Sequence, residues 1–232
     1  MKRICIFIPF LLLLFLVYPV SAIETDWTEK KLGKAILKAD KAARQNRWSR
    51  AIKYGEKMLL GSLKLDQKSD ARYINQLKNL NYYYDQANRL PDISARLLEA
   101  YLLSKEHLGL SHNTTIVSRQ LYYKLLISEK KYPGAIALVL ESMSILGKNE
   151  EDNLKMHRYL KQLYSLYGLT GQLQQEEKTI LEFMKLNIQL FGRNEEDFKK
   201  VIVVLAKNYC RQRKLDKFIQ LVSDHDLKYI CK

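Results

Sequence analysis

Glycine and proline are scarce in this chain, with nine Gly and four Pro in 232 residues, and two of the prolines fall within the first twenty positions. So little turn-forming residue excludes a collagen-like or low-complexity chain and argues against a sandwich of many short strands. Three cysteines are too few for a disulfide-built scaffold, and Cys5 lies inside an N-terminal apolar run. Past residue 20 no apolar stretch is long enough to cross a bilayer. Glycine-rich phosphate loops and nucleophile motifs are missing as well. The four histidines, His107, His112, His157 and His225, lack the spacing that places two metal ligands on one helix face. These absences point away from catalysis and give no cofactor or metal to look for; a hydrolase with an unrecognised site is the minor alternative.

The first segment has three parts: Lys2-Arg3, an apolar stretch from Ile4 to Val20, and Val20-Ser21-Ala22 ahead of polar residues. Small side chains at the first and third places before a break suit signal peptidase, so residues 1–22 are expected to be a cleaved signal peptide. An uncleaved membrane anchor is the alternative, since the run lies near the lower limit for spanning hydrocarbon. The exported part, residues 23–232, belongs in a periplasm or outside the cell. It retains 37 cations against 25 anions, a net charge of +12 out of the +14 of the whole chain. That balance favours an acidic protein or peptide, an anionic envelope polymer or a lipid surface, while export disfavours nucleic acid. Oligomeric state is not legible. In an oxidising compartment Cys210 and Cys231 form a possible disulfide, or remain two buried thiols.

What the chain does have is a period. An aromatic or leucine anchor following a turn recurs at Trp48, Leu90, Tyr132, Leu173 and Leu215, at intervals of 42, 42, 41 and 42 residues. Gly147-Lys-Asn-Glu-Glu-Asp152 returns as Gly192-Arg-Asn-Glu-Glu-Asp197. Almost every segment between carries helical periodicity, and no strand alternation appears. Pro91 and Pro133 directly follow anchors, where proline starts a helix at no hydrogen-bond cost. Leu60-Gly61, Leu108-Gly109, Leu146-Gly147 and Phe191-Gly192 carry the helix-ending glycine signal. The first helices of each pair are placed near 28–45, 68–88, 115–130, 153–168 and 198–212, and the second near 49–60, 92–107, 134–146, 174–190 and 215–229. The repeats then span approximately 28–66, 67–110, 111–148, 149–194 and 195–232. One such unit cannot bury its own apolar face, so neighbours must close over it, giving an all-α solenoid of about five helix-turn-helix repeats.

The layout resembles the tetratricopeptide repeat (TPR), in the longer form found in kinesin light chain-like proteins. The residues that carry the likeness are Ala42, Tyr84, Leu126, Tyr167 and Tyr209, six before each anchor, and Ala51, Ile93, Ala135, Glu176 and Phe218, three after. The segment Leu98-Glu-Ala-Tyr-Leu-Leu-Ser-Lys-Glu-His-Leu-Gly109 is similar to the long second helix of that form. Glu176 and Phe218 depart from the family's small residue and imply wider or differently crossed fourth and fifth repeats. Ala42 with Lys38 gives the first repeat the look of a polar cap.

The resemblance implies a right-handed superhelix whose first helices line a concave face that binds a protein or peptide. Counting back from the anchors projects Asn75, Lys78, Tyr82 and Asp85 onto that face, followed by Val117, Gln120, Lys124 and Ile127. Arg158, Lys161, Ser165 and Gly168 come next, then Lys200, Val203, Lys207 and Cys210. Spacings of three and four keep each set on one side of its helix. Six cations against Asp85 make this projected groove basic, able to take a carboxylate or phosphate by charge-assisted hydrogen bonds. Of the aromatic runs, Tyr84 and Tyr122 are expected between helices and Tyr82 on the groove. The acidic triplets 150–152 and 195–197 are helix-start residues that oppose the positive end of the helix dipole.

Overall fold

The computed structural model describes residues 27–68, 70–192 and 196–231, with Asp197 described by its backbone alone. Residues 1–22, expected to be an export signal, therefore lie outside the described residues. Among the described residues the secondary structure is helical throughout: α1 (Glu29–Arg44), α2 (Trp48–Lys64), α3 (Ala71–Gln86), α4 (Ser94–Leu108), α5 (Asn113–Ser128), α6 (Tyr132–Ser144), α7 (Glu150–Leu169), α8 (Leu173–Phe191), α9 (Glu196–Arg211) and α10 (Leu215–Asp224). They pair as five antiparallel hairpins, each packed on the next, in an all-α solenoid.

Every anchor is the first residue of its second helix or, for Leu90, of the 3-10 turn Leu90–Ile93 that precedes α4. The reason lies in the turn before it. The residue two ahead of each anchor, Asn46, Asn88, Lys130, Gly171 or Arg213, is left-handed, with φ between 54° and 71°. The amide one ahead donates to the carbonyl six ahead: Arg47 to Ala42, Arg89 to Tyr84, Lys131 to Leu126, Gln172 to Tyr167 and Lys214 to Tyr209, at 2.8–2.9 Å. That six-to-one bond closes the end of the first helix and reverses the chain, so the turn is one geometry used five times. Asn and Gly tolerate it readily, whereas Lys130 and Arg213 are held there by the packing on either side.

The helix-ending glycines divide. Gly109 and Gly192 are C-caps at φ 83°, but Gly61 lies within α2, which runs on to Lys64. Gly61 is there because the Trp27 indole packs on it: a Cβ would sit 2.5 Å from the ring. Gly147 lies beyond the Ile145 cap of α6. Its amide instead donates to Asp152, whose other contacts to Asn149 complete a reciprocal cap on α7. The end of the chain also differs from the projection, because α10 stops at Asp224 and residues 225–231 fold back without helix.

Apolar residues run along the array in successive clusters. Leu77, Leu80, Leu97 and Leu125 centre the first hairpin junctions, Val139, Leu163 and Leu166 the middle, and Ile180, Phe183, Leu205 and Phe218 the last. Tyr122 and Met143 bridge these three clusters, and Leu32, Ala35 and Met58 form a separate one between α1 and α2. Glu176 is 5 % exposed where the pattern calls for a small residue. It fits because Gly168 on α7 yields the space: a Cβ there would lie 2.6 Å from Glu176 Oε1. Asn208 and Arg211 of the next hairpin donate to its carboxylate.

A cleft between the third and fourth hairpins

Half-buried carboxylates on second helices tie neighbouring hairpins together. Glu56 accepts from the Tyr84 hydroxyl and pairs with Arg96 at 2.7 Å. Glu141 collects the Tyr101 hydroxyl, Lys105 and Arg119, the last with its side chain only 2 % exposed. Burial alone pushes the Glu141 carboxyl up, but the hydrogen bonds from Lys105, Tyr101 and Arg119 outweigh it and hold the group below the usual range. Glu177 does the same for Gln212, Lys214 and Lys217. No hub of this kind joins the third and fourth hairpins among the described residues.

α3 and α5 touch, and on their exposed side Lys124 pairs with Asp85 at 2.6 Å while Thr114 donates to Asn75. Between α5 and α7 a cleft of about 400 Å³ opens over α6, with an adjoining lobe of about 240 Å³. Leu138, Val139, Ile116 and Leu146 give it apolar surface, and Ser142 lies on the α6 side. Cations stand around it: Arg119 held by Glu141, Lys155 held by Glu151 and Asp152, Lys124 held by Asp85, and Arg158. Among the described residues the side chains of Arg158, Gln120 and Gln162 make no hydrogen bond or ion pair, and neither do the Tyr123 and Tyr159 hydroxyls. Burial pushes the Tyr123 phenol up, which keeps it a neutral donor. Unpartnered donors converging in a concave, partly apolar space are what a binding site looks like.

The projected residues fall in three places. Gln120, Lys124 and Arg158 line the cleft. Asn75, Lys78 and Tyr82 form a neighbouring patch on α3, joined to the cleft wall through the Lys124–Asp85 pair. Lys78 is half-buried without a counter-charge, so burial pulls its ammonium down, and the exposed Tyr82 ring stands edge-on to Trp48. Tyr84 is buried, and Tyr122, partly buried, stacks on Tyr101. Lys161 is exposed on α7, and Lys200 and Lys207 are exposed on α9, outside the lining of the cleft; Lys200 pairs with Glu196. The projected face missed Arg119, Lys155, Tyr159, Gln162 and Ser142. Among the described residues, no group of three His, Cys, Asp or Glu side chains is placed to hold a metal ion. Cys210 and Cys231 are joined as a disulfide with Cα atoms 5.6 Å apart.

No family model matches the chain, and no curated protein is similar to it. Solved structures are. Two crystal structures of kinesin light chain TPR-like repeats from Podosopora anserina align at TM-scores of 0.57 and 0.58 with 12 % identity, covering 84 % of this chain and 93 % of theirs. BtubC (BKLC) from P. vanneervenii aligns at 0.51 with 11 % identity, over 85 % of this chain and 89 % of that one. At such identity the likeness is one of fold: stacked TPR-like hairpins.

Proposed function

We propose that this chain, a TPR-like repeat protein, is an exported scaffold or adaptor that holds an acidic protein or peptide against its basic concave side. The carrying observation is the cleft over α6, where Arg158, Gln120 and Gln162 converge without partners beside Arg119, Lys124 and Lys155. A carboxylate entering there meets a guanidinium and two amides already on a rigid helical frame. The Asn75, Lys78 and Tyr82 patch extends the surface across α3, and Lys161, Lys200 and Lys207 add positive charge further along. Export rests on the leader, and intact-mass measurement of the protein recovered from its own cell envelope tests it: processing after Ala22 is the expected result.

The test of binding uses fluorescent acidic peptides and the same sequences with Asp and Glu replaced by Asn and Gln. Acidic peptides are expected to bind, with affinity falling as salt rises through the screening range. Arg158→Glu with Gln162→Glu abolishes that binding while leaving the helical circular dichroism unchanged. Equal binding of both peptide sets, or no effect of the double variant, overturns the reading.

A second reading, association with anionic envelope polymer or lipid, draws on the outer helices. Leu98, Leu140 and Leu181 each lie eight residues past an anchor and are 38, 44 and 45 % exposed. Sedimentation with anionic and neutral vesicles separates it from the first, because a lipid surface requires the leucine row and a peptide does not.

A further inference from the structure

The two ends of the solenoid are built differently. Within the array, the first helix of each hairpin seats three positions, fourteen, ten and seven before its anchor, on the hairpin before it. In α3 these are Gln76, Leu80 and Tyr83, which meet Ser62, the α2 backbone beside Gly55, and Asp40. In α9 they are Val201, Leu205 and Asn208, all 1 % exposed. In α1 the same three positions are Lys34, Lys38 and Lys41, all exposed. Three ammonium groups in the seam register keep another hairpin from stacking on this end by apolar contact.

At the other end the complementary register is apolar and open. Anchors and the residues four past them face the following hairpin: Trp48 packs on Tyr82 and Tyr83, and Ile52 and Ile136 are 6 and 8 % exposed. Glu177 there is 7 % exposed beneath Lys214 and Lys217. In α10 these positions are Leu215 and Ile219, and they are 56 and 63 % exposed. The disulfide-held tail packs Leu227 and Tyr229 against the last cluster without covering them, and sets Ile230, 82 % exposed, outward.

We propose that the Leu215–Ile219 face of α10 is a self-association surface that seats the same face of a second copy of this chain. The surface continues the hairpin-to-hairpin seam already used inside the array in the same register, with Leu215 in the place of Leu90 and Leu173 and Ile219 in the place of Ile52 and Ile136. Of the two ends a second copy offers, the lysine-faced α1 would have to desolvate three charges to dock there, whereas another α10 brings apolar side chains to apolar side chains. Like-to-like contact closes as a two-fold dimer and leaves both lysine ends outside. A head-to-tail contact would leave an open chain.

Sedimentation velocity of the purified protein over a wide concentration range tests this. A monomer–dimer equilibrium is expected, not weakened by salt, since its core is apolar. Ile219→Glu is expected to weaken the dimer by about two orders of magnitude, because each variant side chain enters a two-fold contact twice. Gln220→Cys, one residue along on the same exposed helix, is expected to give a covalent dimer with a short bismaleimide and keeps the test independent of how Ile219→Glu folds. A monomer at every concentration overturns the proposal. So does an open series of oligomers that salt disperses, which is the signature of Lys34, Lys38 and Lys41 meeting Asp216 and Asp224 head to tail. A dimer indifferent to both Leu215→Glu and Ile219→Glu overturns it as well.

Discussion

The second and third hairpins are joined by polar cross-links, and the third and fourth by an apolar seam, and the cleft lies at the second of these junctions. At the first, Glu141 gathers Tyr101, Lys105 and Arg119, Thr115 donates to the Ser104 carbonyl, and Asp85 pairs with Lys124. At the second, Val139, Leu163, Leu166 and Met143 close the floor, and above it the cleft opens. A directional bond fixes how closely two helices lie along a line, whereas apolar packing fixes only that area be buried. Polar ties span the junction at which α3 and α5 touch, and the cleft lies at the next, between α5 and α7. The two junctions are also coupled, since the carboxylate that seals the first positions Arg119 in the wall of the second.

The strongest way to break the contrast is Glu141→Ala. It strands the buried Arg119 guanidinium and is expected to cost about 3–5 kcal/mol in urea unfolding. The same group sets an acid limit. Its folded pKa is depressed, so its contribution is fully present above the unfolded value of about 4.3 and is lost as pH falls through the lower folded value. Glu141→Gln is expected to lower stability at neutral pH and to flatten the acid limb below about pH 4.3; an unchanged limb means the hub is electrostatically idle.

Leu163→Ala probes the apolar junction by the same measurement. Its side chain is 3 % exposed, and its loss is expected to cost about 2–4 kcal/mol. Next in size is a matched pair of polar deletions. Thr115→Val removes a fully buried hydrogen bond at the sealed junction and is expected to cost about 1 kcal/mol. Gln162→Leu removes an unpartnered amide from the cleft and is expected to lie within about 0.5 kcal/mol of the parent. Equal costs would mean that Gln162 serves the fold.

How much of this was legible follows from what the sequence repeats. The anchors mark helix starts because they follow a turn whose six-to-one hydrogen bond recurs every forty-two residues, and a recurring geometry leaves a recurring text. Positions fifteen, twelve, eight and five before an anchor were projected on the same period; Gln120, Lys124 and Arg158 among them line the cleft, while Lys161, Lys200 and Lys207 lie outside it. Arg119, Lys155, Tyr159 and Gln162 sit off that face. They join the site because the cleft takes in parts of α5 and α7 beyond the projected row, and the period alone does not say at which junction a cleft lies. Gly61 was misread as a helix end because a glycine under an indole and a glycine at a cap look alike in sequence.

The smallest expected effect on stability bears most directly on function. Lys124 is 55 % exposed while Asp85 is only 11 % exposed, and a pair so open to solvent on one side contributes about 1 kcal/mol or less. Asp85→Asn should therefore barely move the unfolding midpoint, yet it releases the Lys124 ammonium at the rim of the cleft. If that rim receives an acidic peptide, the variant binds more tightly than the parent, and its affinity falls more steeply with salt, because a cation formerly neutralised within the chain now faces the ligand. If affinity is unchanged while Arg158→Glu still abolishes binding, the ligand is held by the α7 wall alone, and the α3 patch of Asn75, Lys78 and Tyr82 drops out of the site. The sealed and open junctions would then divide the labour completely, one holding the array together and the other holding the partner.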